Sequence, residues 1–394
     1  MSRTRKTAVA LAAAAALAAG GVTSCGGGGD VKIGAVLPLS GQFALYGTPI
    51  KQGIELAYAE YQEDPEAPYP IDLEIVDSES DPERAKELLQ RLYRDGAVAA
   101  IGGVTTSEAM AMVPVADEAD NVLLSPSASN PALTGISRNF FRIFPSDFRE
   151  GNKMGNFAAE GLGIDRVVIL AAESPYARGV QDVFQNEFQR YGGEVTEVIE
   201  YPPGGTDFTG LVQRALQLEP VGVYVADYAQ NTTKIIRELR RQDFDGKILT
   251  TSAYSAAETL AGAGEEAEGV ILTQVAMMPD QPETTRFLEG YREMYDTPAD
   301  IWAAHGYDAF RVLAQALVEG GRSPSDVWRG MRSIRELRGP SGLIQFDEKG
   351  DVSKFPRVYV VEDGGLVDYE EAVDEKRQEI LRRIEQLNRR RAPG

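Results

Sequence analysis

Cysteine and histidine are almost absent from this chain of 394 residues, which contains one of each, Cys25 and His305. A single cysteine cannot form a disulfide within the chain. One residue of each type is also too few for a metal site built from several histidine and cysteine ligands. His305 lies in the helical pattern WAAHGYDAF, where a packed histidine is more common than a catalytic one, and the phosphate-loop motif G-x-x-x-x-G-K-[ST] is missing. These absences argue against an enzyme and predict neither a metal nor a cofactor.

Basic residues are too few to balance the acidic ones, with 40 lysines and arginines against 60 aspartates and glutamates and a net charge of −20. The first 24 positions hold three of the basic residues and no acidic one, so 37 basic and 60 acidic residues follow, a net charge of −23. The one run of three consecutive basic residues is 389–391. A surface of this charge repels nucleic acid and anionic lipid headgroups, so nucleic-acid binding is excluded.

The first 24 residues have the pattern of an export signal: three basic residues, an apolar run at 7–19, and small residues before Cys25. The run is too short for a membrane-spanning helix, which needs about 20 apolar residues. The segment 22–25, Val-Thr-Ser-Cys, resembles a bacterial lipobox with valine in place of the usual leucine, which implies that Cys25 is diacylated and becomes the mature N-terminus. Ordinary secretion with cleavage nearby is the alternative. We expect residues 1–24 to be a lipoprotein signal peptide and 25–30 to be a lipidated cysteine with a flexible glycine tether, so that the protein lies outside the cytoplasm on a lipid anchor.

Strand patterns then alternate with helical patterns in two successive series. The first predicts strands at 31–37, 71–76, 98–101 and 122–124 and helices at 47–61, 82–94 and 106–120. The second predicts strands at 166–171, 194–200, 221–226 and 247–251 and helices at 177–190, 207–218, 230–241 and 255–262. Two further helical patterns lie at 283–296 and 301–320. This alternation predicts doubly wound α/β structure with parallel sheets.

The two series predict two Rossmann-like lobes joined by three crossings of the chain. We expect the crossings near 140–147, 269–274 and 334–342. The predicted first lobe is 31–143 plus 275–336, the predicted second lobe is 144–274 plus 337–368, and a charged C-terminal helix follows within 369–394. One face of that helix is apolar, and we expect it to pack against its own lobe rather than in a coiled coil.

Small hydroxyl-bearing residues follow two neighbouring predicted strands. A glycine-rich turn brings Thr105 and Thr106 to the predicted start of a helix, and the segment LLSPSASNPAL places Ser127, Ala128 and Ser129 after the next strand. Ligands of open α/β folds bind at the carboxyl ends of strands, and a helix N-terminus favours an anion. We therefore expect these residues to form the docking site of a polar ligand, although serine, proline and asparagine are also ordinary turn residues.

Eight segments in a fixed order give the chain a family resemblance: GAVLPLSGQFALYG, DSESDPERA, AAIGGVTTSEAM, LLSPSASNPALT, FFRIFPSD, AEGVILT, AAHGYDAFRVLAQAL and GPSGLIQFDEKGD. In these segments the chain resembles the substrate-binding proteins of branched-chain amino-acid ABC transporters, which have the type I periplasmic binding protein fold. The resemblance implies two lobes that close over a small ligand. It also implies that hydroxyls and backbone amides at Thr106, Ala128 and Ser129 hold the carboxylate of the ligand, with Thr105 and Ser127 adjacent.

One position departs from the pattern of the family. Amino-acid binders carry an acidic residue that pairs with the ammonium group of the ligand, and the matching position here is Ala253, flanked by Ser252 and Tyr254. A buried ammonium without a counter-charge costs several kcal/mol. Asp227, which lies next to Tyr228 at the end of a neighbouring predicted strand, has two interpretations. It either supplies the missing negative charge or caps the helix that follows it. The expected ligand is therefore an amino acid or a related carboxylate or amide.

The resemblance further implies an aromatic wall at Tyr46 in the first lobe and at Tyr176 and Tyr228 in the second. Together these features predict an extracytoplasmic solute-binding lipoprotein, expected to be a monomer, that captures a small ligand in a cleft between its lobes. In the family such proteins deliver the ligand to ABC permease subunits in the membrane. The alternative is a lipoprotein of the same fold that acts as a ligand sensor or as an activator of a cell-wall synthase, without transport.

Overall fold

The computed structural model of the protein describes residues 29–278 and 281–391, so Cys25 and the predicted signal peptide lie outside the described residues. The strands are β1 (Val31–Leu37), β2 (Ile71–Asp77), β3 (Ala99–Gly102), β4 (Val122–Ser125), β5 (Phe140–Arg142), β6 (Arg166–Ala172), β7 (Glu194–Tyr201), β8 (Gly222–Ala226), β9 (Lys247–Thr250), β10 (Ile271–Gln274), β11 (Leu337–Gly339), β12 (Gly342–Ile344), β13 (Arg357–Glu362) and β14 (Gly365–Asp368). The helices are α1 (Ala44–Glu63), α2 (Pro82–Arg94), α3 (Thr106–Ala119), α4 (Asp147–Asn156), α5 (Pro175–Arg190), α6 (Thr209–Leu216), α7 (Ala229–Arg241), α8 (Ala257–Ala263), α9 (Pro282–Tyr295), α10 (Ile301–Gly320), α11 (Pro324–Ser333) and α12 (Tyr369–Arg391). The predicted strands of both series are present, with limits within one residue of those expected.

The first lobe is built on a five-stranded sheet in the order β2-β1-β3-β4-β5, in which all neighbouring strands are parallel. Its inner strands are continuous buried runs, such as AAIG in β3 and VLLS in β4, because helices cover both faces of the sheet. Helices α1 and α10 pack on one face, and α2 and α3 pack on the other. The carboxyl ends of β3 and β4 therefore meet at one edge of the lobe, as the sequence predicts.

Helices α1 and α10 approach each other closely because two glycines face the opposite backbone. A Cβ atom on Gly53 would lie 1.9 Å from the carbonyl oxygen of Ala303, and a Cβ atom on Gly306 would lie 2.0 Å from that of Ile50. No other residue type fits these positions without moving a helix. This contact fixes the N-terminal ends of both helices at the cleft between the lobes.

The second lobe is built on a seven-stranded sheet in the order β14-β13-β10-β9-β8-β6-β7. Strands β6 to β10 are parallel, but β13 runs antiparallel to both β10 and β14. The predicted parallel pairing is therefore confirmed for β6 to β9, and the strands β13 and β14, which were not predicted, add antiparallel pairs at this edge. The antiparallel pairing of β13 with β14 follows from the two-residue turn Asp363-Gly364, in which both residues have positive φ (52° and 74°), a conformation that joins antiparallel strands in a hairpin.

The chain passes between the two sheets three times, as predicted, but two of the passages lie later than expected. Residues 269–274, predicted as the second crossing, instead include β10, which bonds to β9 and β13 inside the second sheet. The second passage between the sheets therefore begins after β10 and leads to α9 and α10. Residues 334–342, predicted as the third crossing, contain β11 and part of an antiparallel hairpin with β12. Asp351 still bonds to Arg142 of the first lobe, so the third passage lies between Val352 and β13.

The first turn of the C-terminal helix α12 packs on the second lobe, and Lys376 in the next turn is paired with Glu362 of β13. The Tyr369 ring meets Phe157 edge-on at 4.9 Å, and Ala372 is buried. Val373 and Ile380 are 46% and 59% exposed, so the predicted packing of the apolar face is wrong at these two positions. Across the described ranges, no helix has the length and apolar character needed to cross a membrane.

Candidate ligand-binding site

A cavity of about 20 Å³ lies between the lobes, where the carboxyl ends of strands from both sheets meet. Its walls are Tyr46, Val104, Thr106, Ser127, Ala128, Ser129, Phe144, Tyr176, Tyr228, Ser252, Ala253 and Trp302. The structure thus brings together most of the residues predicted from the sequence. Thr105, Asp227 and Tyr254 were predicted to belong to the site, and they do not line the cavity.

Two serines, Ser125 at the end of β4 and Ser127 just after it, bond back to the loop before α3. The Ser125 hydroxyl donates to the Gly103 carbonyl at 2.7 Å and accepts from the Ala128 N–H at 2.9 Å. The Ser127 hydroxyl donates to the Val104 carbonyl at 2.7 Å. These bonds fix the shape of both strand-end loops, as the turn interpretation expects, and Ser127 also lines the cavity.

Thr106 offers the cavity a hydroxyl that is not used elsewhere. Its Oγ1 is buried and has no hydrogen-bond partner among the described residues. Thr106 is the first residue of α3, while Thr105 precedes it as the N-cap and forms a capping box with Glu108. Thr105 therefore sets the start of the helix rather than lining the cavity. Thr106 itself lines the cavity at the N-terminal end of α3, which carries a partial positive charge.

Aromatic rings form the apolar walls of the cavity. Tyr176 and Tyr228 are stacked with centroids 4.6 Å apart, on the side of the second lobe. Tyr46 meets Trp302 edge-on at 4.9 Å, and Phe144 is stacked on Trp302 at 5.7 Å. The sequence predicted the three tyrosines and missed the other two rings. Phe144 lies just beyond β5, so the rule that sites lie at strand ends points to it.

Tyr46 also connects the two lobes directly. Its hydroxyl donates to the Ala253 carbonyl at 2.9 Å and accepts from the Ala229 N–H at 3.0 Å, and both partners belong to the second lobe. Burial raises the pKa of the Tyr46 hydroxyl, which therefore stays protonated and donates. Gln230 donates to the Gln42 carbonyl at 2.9 Å across the same cleft. The two lobes are in contact in this closed arrangement.

Asp227 is held away from the cavity by three hydrogen bonds. Its Oδ2 accepts from the Tyr201 hydroxyl and the Asn231 amide, both at 2.9 Å, and its Oδ1 accepts from the Tyr228 N–H at 2.7 Å. Burial raises the pKa of Asp227, and these donors lower it. The N-cap of α7 is Tyr228, so the capping interpretation of Asp227 is wrong, and the structure does not aim its carboxylate at the cavity.

Tyr254 is buried against the second lobe rather than the cavity. Burial raises the pKa of its hydroxyl, while Thr233 and Arg237 of α7 lower it. Its neighbour Ser252 does line the cavity. Ser252, one position before the residue that the family pattern marked, therefore belongs to the cavity wall, but its hydroxyl already donates to Glu150 at 2.7 Å.

Two buried carboxylates of α4, Asp147 and Glu150, stand behind this wall and were not predicted from the sequence. Glu150 accepts from both the N–H and the hydroxyl of Ser252, each at 2.7 Å. Asp147 donates its N–H to the Ser129 carbonyl at 2.8 Å, which places the start of α4 directly behind Ser129. Burial raises the pKa of both carboxyls, and their mutual repulsion raises that of Asp147 further.

The arrangement suits the binding of a small molecule with a polar end and an apolar body. The cavity wall combines hydroxyl groups with aromatic rings, as is common in small-ligand sites. Within the described part of the chain, no group of three or more histidine, cysteine, aspartate or glutamate side chains is placed to hold a metal ion.

The family model described as periplasmic binding protein matches residues 30–364. The chain belongs to the periplasmic binding protein family. Among its relatives, the leucine-, isoleucine-, valine-, threonine- and alanine-binding protein of Pseudomonas aeruginosa is 23% identical over 331 residues, which cover 82% of this chain and 88% of that protein. Leu/Ile/Val-binding protein homolog 1 of Brucella suis is 25% identical over 359 residues, which cover 89% of this chain and 94% of that protein. This confirms the resemblance to branched-chain amino-acid binding proteins.

Solved structures of this family have the same fold. A leucine binding protein from Thermotoga maritima has a TM-score of 0.82 at 28% identity, covering 86% of this chain and 97% of that chain. A solute binding protein of an ABC transporter from R. palustris, in complex with benzoate, has a TM-score of 0.80 at 23% identity, covering 86% and 96%. The two-lobe type I fold is thereby confirmed, and these periplasmic binding proteins are solute-binding proteins rather than enzymes.

Proposed function

We propose that this protein captures a small polar ligand, an amino acid or a related carboxylate or amide, between its lobes and delivers it to an ABC transporter permease. The observation that carries the proposal is the Thr106 hydroxyl, which is buried, has no partner in the described ranges and stands at the N-terminal end of α3 on the wall of the interlobe cavity. A hydrogen-bond donor beside a helix N-terminus favours a carboxylate or carbonyl oxygen.

The ligands of the relatives agree with this chemistry. Leucine is bound by the relative from Thermotoga maritima, and benzoate is bound by the one from R. palustris. Both compounds have a carboxylate and an apolar body. The cavity offers hydroxyl donors to the first feature and the rings of Tyr176, Tyr228 and Trp302 to the second.

A thermal-shift screen of the purified chain with amino acids, amides and carboxylates tests the proposal. We expect at least one compound of these classes to raise the unfolding temperature, because a ligand that binds only the folded state stabilises it by mass action. Labelled uptake of that compound should fall in cells that lack the gene. A screen without any stabilising compound would contradict the proposal, and unchanged uptake would contradict delivery to a permease.

We further propose that Cys25 carries a lipid anchor outside the cytoplasm, the location that membership of this family implies. The support is the lipobox-like segment at 22–25 and the glycine tether that follows it. The variant Cys25→Ser should be recovered in soluble form when cells are fractionated, while the unchanged protein remains with the membranes. Continued membrane association of the variant would exclude the anchor.

A further inference from the structure

Asp147 is the feature of the cavity region that the fold by itself does not explain. It is fully buried, and neither of its carboxylate oxygens meets hydrogen-bond geometry with any described residue. A buried carboxylate without partners is unfavourable unless a cation or donors compensate it. The partial positive charge at the start of α4 stabilises an acidic side chain there. That stabilisation does not require the side chain to be buried or its oxygens to lack hydrogen-bond donors.

The surrounding charges do not compensate Asp147. Glu150, one turn later on α4, is also fully buried and repels it. Arg142 is the cation that acts on Asp147, but its guanidinium is already paired with Asp351, with Nε to Oδ1 at 2.7 Å and Nη2 to Oδ2 at 2.8 Å. The Ser129 hydroxyl is near enough to lower the pKa of Asp147 without completing a hydrogen bond.

The acid pair adjoins the cavity from two sides. Asp147 bonds through its backbone to Ser129, and its charge acts on the hydroxyls of Tyr176 and Tyr228. Glu150 binds Ser252 through both of its oxygens. All four of these partners line the cavity. The acid pair therefore lies directly behind the cavity wall, within reach of four residues that line it.

We propose that Asp147, supported by Glu150, is the anionic subsite for a positively charged group of the ligand, so that the protein binds a zwitterion such as an amino acid in preference to a plain carboxylate. This inference rests on the proposed function. It places the counter-charge that is missing at Ala253 on α4, beside the first crossing, instead of at the end of a second-lobe strand. Asp227 does not serve this purpose, because Tyr201, Asn231 and Tyr228 already use its oxygens.

The electrostatics of the pair favour an ammonium group over a second anion. An ammonium beside Asp147 would supply both the missing hydrogen-bond donors and the missing positive charge. A ligand with only a carboxylate would bring a further negative charge toward two buried carboxyls. Because burial and mutual repulsion raise their pKa values, the pair holds protons in the absence of a cation, and an arriving ammonium favours the ionised form.

Matched pairs of probes that differ only in the ammonium group test the inference by calorimetry on the purified chain. The pairs are L-alanine and propanoate, L-leucine and 4-methylpentanoate, and L-phenylalanine and 3-phenylpropanoate. In at least one pair we expect the amino acid to bind at least about tenfold more tightly than its partner, as a new ion pair with hydrogen bonds predicts. Asp147→Asn should remove most of that preference, while Asp308→Asn, which neutralises a buried carboxylate bonded to Ser341, should keep it.

Each result bears on the inference and separates it from the proposed function. Tight binding of the plain carboxylates with no preference for the amino acids overturns the inference and leaves the proposed function standing. Loss of the preference in Asp227→Asn, with its retention in Asp147→Asn, also overturns it. If no compound of these pairs or of the wider screen binds, both fail. Should Asp147→Asn not fold, the preference of the unchanged protein and its reduction in Glu150→Gln decide the matter.

Discussion

At the scale of single residues, the hydroxyl groups beside the cavity have two different roles. Those of Ser125 and Ser127 bond to carbonyl oxygens of the loop before α3 and hold two strand ends together. That of Thr106 has no such bond within the described residues. Sequence position does not distinguish these roles, because the distinction depends on which carbonyls the neighbouring loop presents.

Thr106→Val keeps the shape of the side chain and removes only the hydroxyl. We expect the affinity for the best ligand of the screen to fall about ten- to a hundredfold, since a hydrogen bond to a charged group contributes about 1.5–3 kcal/mol. The free energy of unfolding should not fall, because the hydroxyl has no partner in the described structure. Calorimetric titration measures the first quantity and urea unfolding the second.

Ser127→Ala is the matched control, because it removes a hydroxyl whose bond is internal. The variant leaves the buried Val104 carbonyl without its donor, so the free energy of unfolding should fall by about 1–3 kcal/mol. Its affinity should change less than that of Thr106→Val. If the two variants instead lose affinity equally and neither loses stability, the assignment of these roles is wrong.

Lys354 makes the stability of the protein depend on pH. It lies in the third passage between the lobes, where it is buried and donates to the Ser341 hydroxyl at 2.7 Å, with His305 at 3.5 Å. Burial lowers the pKa of Lys354 from 10.5 to about 7, and Asp308 partly opposes this. Between these two pH values the unfolded chain binds a proton that the folded chain does not, so the contribution of Lys354 to stability is lowest below pH 7 and rises as the pH increases toward 10.5.

Lys354→Met removes this titration and approximately keeps the volume of the side chain. The free energy of unfolding of the unchanged protein, minus that of the variant, should therefore increase from pH 7 to pH 10.5. Urea unfolding of both proteins across this range measures the difference, in which the other titrating groups largely cancel. A difference that stays constant or falls would contradict a lowered pKa of Lys354 in the folded protein.

At the scale of elements, the hydrophobic pattern of the sequence was sufficient to predict the parallel strands of both sheets. It was insufficient to predict the strands at the β13–β14 edge of the second sheet. Strands buried on both faces are short apolar runs between helices, so each was recognisable alone. The run that forms β10 was mistaken for a crossing because its partner β13 lies over eighty residues later in the sequence. The Asp363-Gly364 pair is a hairpin signal that the sequence does contain and that the prediction did not use.

The candidate site was predictable to the extent that it lies at strand ends. Thr106 and Ser129 follow β3 and β4, so their meeting follows from the parallel sheet. Trp302 follows no strand, and only the packing of α10 on α1 brings it to the cavity. Asp147 was read as the end of a crossing, because nothing local in the sequence shows that the start of α4 is buried.

The contact between α1 and α10 gives a prediction at this scale. Gly306→Ala places a methyl group about where the Ile50 carbonyl oxygen lies, so the two helices must separate. We expect the free energy of unfolding to fall by about 1–3 kcal/mol, the usual cost of overpacking. Gly210→Ala in α6 is the control, because nothing lies within 4 Å of its new methyl group and stability should stay equal or rise slightly. Equal effects of the two substitutions would contradict the close packing.

At the scale of the whole molecule, the closed arrangement is too tight for the ligands expected of it. The cavity of about 20 Å³ holds about one water molecule, whereas a benzene-sized ligand occupies a cavity of about 150 Å³. We therefore expect the lobes to separate before a ligand enters and the three passages between the sheets to be the segments that bend. A ligand that contacts both lobes then favours closure through its differential affinity for the closed state.

Tyr46→Phe tests this closure, because it removes the two hydrogen bonds that Tyr46 makes to the second lobe and keeps the ring. With the closed state less favoured, the affinity for the best ligand of the screen should fall about tenfold. Small-angle scattering should show a smaller radius of gyration at saturating ligand than without ligand in both proteins. Tyr58→Phe is the matched control on the same helix, since its hydroxyl bonds to the Ile71 carbonyl inside the first lobe and the affinity should not change. A radius that does not respond to ligand, or equal affinities for the two variants, would contradict a hinge that closes across Tyr46.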